Sequence, residues 1–493
     1  MYGVLATYLD LECCFAIVLL HKDKTEIIME RCRYRVKITI PEKVAYIINR
    51  LIEHGYEAYA VGGCVRDTVL GRVPEDWDIT TSARPEDVKK LFVRTIDTGI
   101  LHGTVTVMLE KEGFEVTTYR IDGEYEDNRH PKTVEFTSNL KEDLRRRDFT
   151  INAMAYNEKD GLVDCFGGME DIKRKRITCV GDPNDRFDED ALRILRAVRF
   201  AGQLGFSIEE NTRIAMKQKA ENLKSISAER IRVELDKLLR SNHAELMKEA
   251  YETNITKAVL PEFDIMMQTE QNNPHHIYSV GEHVVQSVCA MNEWCYKNGQ
   301  HDKKLHSILV WTMLLHDVGK PECKKTDYDG IDHFYGHEEV GAKKAKEILK
   351  RLKFDNYTID FVTRLIKWHD YRIDAKEKTV RRALSKLGTD LIPYWFWVQR
   401  MDIFAQNPDK AKEKIERLEL VEECCEKIFE QNDCLTIKEL KINGKDLMDA
   451  GLERGKQIGE ALNYLLEVVL EHPEMNEKEK LLAVCKRKYM LIP

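Results

Sequence analysis

One stretch constrains this chain more than any other: a glycine pair between a strand-forming run and a helix start, followed shortly by two aspartates one residue apart. It reads Tyr59-Ala60-Val61-Gly62-Gly63-Cys64-Val65-Arg66-Asp67, then Asp76-Trp77-Asp78-Ile79-Thr80. The order predicts a strand, a glycine turn, a helix entry and a second strand. Residues i and i+2 of a strand share a face, so Asp76 and Asp78 are expected to project together, with Trp77 and Ile79 opposite. Such a pair suits a hard divalent cation, and Mg²⁺ favours one or two carboxylates plus substrate phosphates. Gly62 and Gly63 let the backbone approach those phosphates. Arg66 adds a fixed positive charge one turn on. An Asp-x-Asp alone is common on exposed strands; the order glycine pair, arginine, Asp-x-Asp is far more specific.

A chain of 493 residues predicts several domains. Its 43% hydrophobic and 33% charged residues describe a folded, charge-rich protein. The net charge of −8 does not point to nucleic acid, although local basic patches decide phosphate binding. The 13 cysteines are scattered without a CxxC. That argues against a zinc ribbon or a disulfide framework and for a reducing, cytoplasmic setting. The apolar run at 11–20 is too short to span a bilayer, so no membrane is expected as a partner. Residues before about 29 read as a strand-like extension or as lying upstream of the true start, and carry no chemistry.

Along the chain, residues 41–52 predict an amphipathic helix with Pro41 near its first position and Gly55 beyond its end. Residues 103–109 and 114–119 are β-rich and read as a hairpin around Lys111-Glu112-Gly113. That hairpin would sit beside the Asp-x-Asp strand, where Glu115 is either a third carboxylate or a solvated side chain. Residues 121–131 are polar and aperiodic, a connector or a mobile loop over a site. Arg145-Arg146-Arg147 beside Asp148 predicts a compact triphosphate clamp, because guanidinium forks match phosphate oxygens.

Residues 186–200 read as one helix with an apolar stripe at Ala191, Leu195 and Val198. Within it Asp190 and Arg193 are i, i+3 neighbours. Such a pair is ordinarily a surface salt bridge of small energy, but it also matches a nucleobase edge. Cytosine and adenine present an exocyclic amine beside a ring-nitrogen acceptor; a carboxylate accepts from the first and a guanidinium donates to the second. Uracil and guanine present a carbonyl and a ring N–H there, so the same pair would admit CTP and ATP and reject UTP and GTP. Residues 227–239 predict a helix capped by Ser227 that backs the reading helix.

Together, Gly62-Gly63 with Arg66, Asp76-x-Asp78, Arg146-Arg147-Asp148-Phe149-Thr150-Ile151-Asn152-Ala153 and Glu189-Asp190-x-x-Arg193 resemble the bacterial class II CCA-adding tRNA nucleotidyltransferases. That family shares its head with bacterial poly(A) polymerases and its catalytic signature with polymerase β-type nucleotidyltransferases. The resemblance spans roughly residues 40–270. It implies that Asp76 and Asp78 hold Mg²⁺, and it favours Glu115 as a third carboxylate. It also implies that Gly63, Arg66 and Arg147 hold the triphosphate, and that Asp190 and Arg193 read the base with Arg196 and Arg199 nearby on the same helix. The loop at 122–131 matches a flexible loop that CC-only enzymes lack, which favours complete CCA addition. The implied reaction is in-line attack of a tRNA 3′-hydroxyl on the α-phosphate of CTP or ATP, releasing pyrophosphate.

The second half carries Gly281-Glu282-His283, Leu315-His316-Asp317-Val318-Gly319-Lys320, Gly336-His337-Glu338, Trp368-His369-Asp370 and Met401-Asp402, with Pro274-His275-His276 upstream. His and Asp suit transition metals and Mg²⁺. The set resembles the HD metal-dependent phosphohydrolase domain. By that pattern His283, His316, Asp317 and Asp402 are core ligands, and His337 and His369 complete a second metal position. The implied activity is hydrolysis of phosphomonoesters or 2′,3′-cyclic phosphates at RNA ends; a degenerate domain kept for RNA binding is the alternative.

The fold expected is therefore α+β: a polymerase-β-like palm with a mixed sheet, then an extended, mostly helical neck, body and tail. The expected divisions are an extension (1–35), a palm (36–172), a base-reading and RNA-binding neck (173–270), an HD domain (271–406) and a helical tRNA-binding tail (407–493). The rival activities are a poly(A) polymerase, a partial A-adding enzyme, and a phosphohydrolase that uses a palm only to bind RNA.

Overall fold

The computed structural model describes residues 33–34, 37–123 and 134–490. The apolar run at 11–20 and most of the loop at 122–131 lie outside the described residues. The chain forms two compact units that divide after Val259, each described by itself.

The first unit is built on an eight-stranded mixed sheet in the order β1-β10-β9-β2-β3-β6-β5-β4. Its strands are β1 (Arg33–Tyr34), β2 (Ala58–Val61), β3 (Asp78–Thr81), β4 (Thr95–Gly99), β5 (Thr104–Leu109), β6 (Glu112–Thr118), β9 (Met154–Asn157) and β10 (Gly161–Asp164). A separate ribbon pairs β7 (Arg120–Asp122) with β8 (Val134–Phe136), flanking the loop. Among the described residues, all pairs within the eight-stranded sheet are antiparallel except β3 with β6, which run parallel. The hairpin turns at Glu110 and Lys111, so β6 starts at Glu112, opposite Leu109, two residues before the expected start at Phe114.

The strand period of two explains why both faces are covered. Along β2, Ala58 and Ala60 join one apolar cluster, with Val44, Ile47, Ile48 and Leu51 of α1 (Glu42–Glu53). Tyr59 and Val61 join another, with Leu140 and Leu144 of α4 (Leu140–Arg145). The α1 residues fall on one helical face at the i, i+3, i+4, i+7 spacing. Shorter helices α2 (Gly63–Val69), α3 (Pro85–Leu91) and α5 (Gly168–Lys173) complete the head.

The expected helix over 186–200 is two helices, α6 (Pro183–Glu189) and α7 (Leu192–Leu204). The chain breaks at Asp190, whose backbone is extended (φ −143°, ψ 103°). Its carboxylate accepts from the Leu192 N–H at 3.0 Å, a local bond that competes with helix continuation. Gly205, in the left-handed region at φ 68°, ends α7. Next come α8 (Glu210–Lys219), α9 (Ala228–Leu239), α10 (Met247–Glu252) and α11 (Ile255–Val259). α9 packs along α7 as expected, but Ser227 makes no side-chain cap bond.

Among its described residues the second unit is helical apart from one short hairpin at 325–333. It runs through α12 (Pro261–Met267), α13 (Val280–Lys297), α14 (Lys303–Leu315), α15 (Lys320–Cys323), α16 (His337–Arg351), α17 (Asn356–Trp368), α18 (Glu377–Leu387) and α19 (Ile392–Phe404). A capping box between Ser279 and Glu282 fixes the start of α13. α13 packs on α14 and α19, and α17 on α14 and α16. The remaining helices are α20 (Pro408–Glu430), α21 (Gly444–Asp449), α22 (Lys456–Glu471) and α23 (Lys478–Tyr489). A capping box between Asn443 and Asp446 fixes the start of α21. No described helix is long and apolar enough to cross a membrane.

Candidate functional site

In the first unit β3 begins at Asp78, so Asp76 lies just ahead of the strand rather than on it. The two carboxylates are nonetheless neighbours. Burial pushes the Asp78 carboxyl above its ordinary range; Arg147 draws it down and Asp76 pushes it up again. The parallel register Ile79–Val116 sets Asp78 beside Glu115. Glu115 is raised too, by burial first and then by Asp78 and Asp76. Three carboxylates thus crowd together and repel one another, which is what a divalent-cation site does before its cation binds. The donor set fits Mg²⁺: oxygen ligands only, with an arginine at the rim.

That arginine is Arg147. Its side chain lies across Gly62, where a Cβ would come within 2.9 Å of Nη1. Gly62 also holds φ +85°, so both crowding and backbone require glycine there. Gly63 differs: a Cβ would meet only Arg66 Nη2, at 3.7 Å. Arg147 Nε is buried without a hydrogen-bond partner among the described residues, and burial pushes its pKa down against the pull of Asp143 and Asp78. A partly buried guanidinium with an unmatched donor beside three carboxylates is suited to an anionic substrate.

The predicted clamp of three arginines does not form. Arg145 points outward, 3.5 Å from Glu142. Arg146 donates to the buried Asp143 at 2.9 Å. Only Arg147 reaches the carboxylates. Consecutive residues at a helix end point about 100° apart, so they cannot converge on one ligand.

The other predicted nucleotide-site residues have inward partners. Arg66 is buried, donating to Asp67 at 2.9 and 2.8 Å and to Asn152 Oδ1 at 2.6 Å. Arg196 donates to Asp148 Oδ2 at 2.9 and 2.6 Å, and Arg199 to Glu234 at 2.7 Å. All three guanidiniums lie within cation–π reach of Phe200, 4.9, 5.2 and 3.5 Å from the ring centroid. Asp148 is buried; desolvation alone would raise its pKa, but Arg196 and the Asn152 amide hold it well below the usual carboxylate range. Asn152 and Phe200 were missed as site supports. The available signal was the i, i+4 spacing of Asp148 and Asn152, which now share a 3.0 Å bond.

Asp190 and Arg193 do not form the expected i, i+3 pair. Asp190 accepts from Arg230 of α9 at 2.7 Å. Arg193 donates to Glu189 at 2.6 Å and to the Arg146 carbonyl at 2.8 Å. The break at Asp190 removes the helical geometry the pairing needs.

The second unit brings all six predicted metal ligands together. His283 on α13 and His316 after α14 face each other with Nε2 atoms 3.2 Å apart. Asp402 Oδ1 lies 2.8 Å from the first and 3.4 Å from the second. Asp317 Oδ2 lies 3.5 and 3.3 Å from them. His337 and His369 repeat the arrangement, their Nε2 atoms 3.2 Å apart and each 3.5 Å from Asp317 Oδ1. One buried carboxylate therefore stands between two histidine pairs.

Every one of these histidines has its Nδ1 against a backbone carbonyl: Ala405 for His283 (3.2 Å), Met313 for His316 (2.8 Å), Phe334 for His337 (2.7 Å) and Ile366 for His369 (2.6 Å). A carbonyl only accepts, so Nδ1 carries the proton and Nε2 turns its lone pair inward, as metal-ligating histidines are held. Burial disfavours charge on His316, but Asp317 and Asp402 lift it to about 10; a cation would replace that proton. His283, His316 and Asp317 form one potential metal group, and Asp317, His337 and His369 another. The nitrogen-rich donor set fits a divalent transition metal better than Mg²⁺.

The mixed sheet with an acidic trio and a glycine-crossing arginine defines a nucleotidyltransferase head. Residues 58–178 match the model of the poly A polymerase head domain. Residues 205–267 match the probable RNA- and SrmB-binding site of polymerase A, and 335–485 match domain 2, putative, of tRNA nucleotidyltransferases. The chain is 34% identical over 447 residues, 90% of its length, to 96% of the CCA-adding enzyme of Ligilactobacillus salivarius. Over 192 residues, 39% of the chain and 48% of the relative, identity to the CCA-adding enzyme of Lactobacillus delbrueckii subsp. bulgaricus is 55%. The structure of the Bacillus stearothermophilus CCA-adding enzyme in complex with CTP aligns over 92% of this chain and 98% of that one, with a TM-score of 0.63 and 30% identity. The chain belongs to the CCA-adding enzyme family of nucleotidyltransferases.

Proposed function

We propose that this protein adds CCA to tRNA 3′ ends from CTP and ATP without a nucleic-acid template, releasing pyrophosphate. The observation that carries the reading is the convergence of Asp76, Asp78 and Glu115 beside Arg147, in a chain that aligns with 96% of a CCA-adding enzyme. Asp76, Asp78 and Glu115 would hold Mg²⁺, which supplies charge neutralisation at the α-phosphate and activation of the attacking hydroxyl. Arg147, crossing Gly62, binds the triphosphate and fixes its distance from the carboxylates. Arg66, Arg196 and Arg199 act behind it, locking α2 and α7 through Asp67, Asn152, Asp148, Glu234 and the Phe200 ring. Catalysis is positioning and electrostatics.

Asp190 and Arg193 remain the base-reading pair in this proposal. Arg230 holds the Asp190 carboxylate in the free protein, and an incoming cytosine or adenine amine competes for it. The divisions at 36–172, 173–270, 271–406 and 407–493 are kept as functional assignments: head, base-reading neck, metal domain and tRNA-gripping tail. A tRNA substrate supports a cytoplasmic location.

The test is primer extension on tRNA lacking its 3′ end, with each nucleotide supplied separately. CTP alone should add two residues and stop, and CTP with ATP three. Long ATP runs would identify a poly(A) polymerase; A addition only to tRNA ending in CC would identify a partial enzyme.

A second reading concerns the other unit, on the strength of the four inward Nε2 atoms around Asp317. His283, His316, Asp317 and Asp402 would hold one divalent metal, and His337 and His369 a second with Asp317 between. Such metals supply an activated water for hydrolysis of phosphate esters at RNA ends. Metal analysis of the purified protein and of His283→Ala tests this; a metal content unchanged by the substitution would refute it.

A further inference from the structure

His276 has no part in either site described above. Its ring stands edge-on to His283, with centroids 5.0 Å apart, so it packs directly on the metal cluster. The segment that carries it is pinned in place. The Asn407 N–H donates to the His275 carbonyl at 2.9 Å, and Asn407 Nδ2 to the Pro274 carbonyl at 3.2 Å. Asn407 lies just beyond α19, the helix that carries Asp402.

Two features set His276 apart from the four ligand histidines. First, its Nδ1 is buried and has no hydrogen-bond partner among the described residues. An unmatched buried ring nitrogen calls for an explanation, and a bound ligand is a direct one. Second, the orienting carbonyl that each ligand histidine has at Nδ1 is missing here, so His276 is not built as a ligand. An imidazole keeps at least one N–H donor whatever its charge. Lys320, also buried, sits 2.7 Å from Asp317 Oδ2 and donates to Gln271 Oε1 at 2.9 Å.

We propose that His276 is the substrate-facing side chain of the metal cluster, donating a hydrogen bond to a non-bridging oxygen of a phosphate ester held over Asp317. The proposal rests on reading the cluster as a metal-dependent phosphohydrolase site. It adds what that reading lacks: a group that contacts the phosphate without contacting the metal.

The experiment uses the full-length protein loaded with Mn²⁺ and titrated calorimetrically with inorganic phosphate, with metal content measured on the same samples. His283→Ala reports phosphate bound elsewhere on the chain, and its heat is subtracted. His276→Phe keeps the edge-on ring and removes both nitrogens; His276→Ala is a second truncation should the larger ring disturb folding; His276→Gln restores a donor. The expected result is unchanged metal content in all three, phosphate binding about tenfold weaker in the Phe and Ala variants, and recovery in Gln. Metal retained with phosphate affinity equal to wild type overturns the His276 assignment and leaves the site reading intact. Metal lost from the Phe and Ala variants as from His283→Ala makes His276 a ligand and also overturns it. A wild-type protein that takes up no metal refutes the site reading and the assignment together.

Discussion

Asp148→Asn tests whether the ionic chain beneath the proposed nucleotide site holds the first unit together. The buried carboxylate takes two bonds from Arg196 on Oδ2, and bonds from the Phe149 N–H (2.8 Å) and Asn152 (3.0 Å) on Oδ1. Asparagine keeps the shape and can keep the Oδ1 bonds, but turns an NH₂ toward a guanidinium. The nearest other carboxylate to Arg196 is Glu234, 3.9 Å away. Removing one partner of a fully buried pair costs about 3–5 kcal/mol. The Arg196 side chain is a third exposed, so solvent screening reduces this to about 2–3 kcal/mol. For a unit of this size each kcal/mol moves Tm by roughly 2–4 °C, predicting a fall of about 5–10 °C at pH 7, read by calorimetry. The folded-state pKa of Asp148 is depressed, so its contribution is complete above the unfolded carboxylate value of about 3.9. It is lost as pH falls from there through the folded value, because the unfolded chain takes up the proton first. The gap between wild type and variant should therefore narrow below about pH 4. A Tm change under about 2 °C at pH 7, or a gap independent of pH, would refute the reasoning.

Asp78→Ala should abolish addition of both C and A to truncated tRNA while the fold, by circular dichroism, is retained; normal turnover would end the palm assignment. Gly62→Ala places a Cβ 2.9 Å from Arg147 Nη1 at a positive φ. It should cost about 1 kcal/mol or more in stability and raise KM for both nucleotides by displacing the guanidinium; unchanged KM would detach Arg147 from the triphosphate. Asp190→Ala should loosen base choice, giving measurable UTP misincorporation, and undiminished rejection of UTP would remove Asp190 from base reading.

What could be read from the sequence, and what could not, divides by the range of the interaction. The strand, glycine turn and helix entry at 59–67 were legible because alternation and a left-handed glycine are local properties. The hairpin that carries Glu115 was legible too, but the choice between a third carboxylate and a solvated side chain was open on the residues alone, since it depends on the one parallel pairing in the eight-stranded sheet, between β3 and β6. The error at 186–200 has a local cause that pattern reading overlooks. Apolar spacing at Ala191, Leu195 and Val198 fits a helix, but it is silent on an Asp190 carboxylate that binds the chain two residues ahead and restarts it. The three arginines failed for a similar reason, because adjacency in sequence is not convergence in space. The proposed metal cluster illustrates the opposite case. Its six candidate ligands come from distant segments, yet their order was recognisable. Three of the four Nδ1 contacts that orient its histidines go to the residue three positions earlier: Met313, Phe334 and Ile366. Each such histidine follows or opens a helix, where nearby backbone carbonyls are available to a side chain. A ligand set assembled across more than a hundred residues is thus oriented mostly by short-range bonds. By the same logic His276, whose Nδ1 has no such bond, is freed to face whatever the cluster binds.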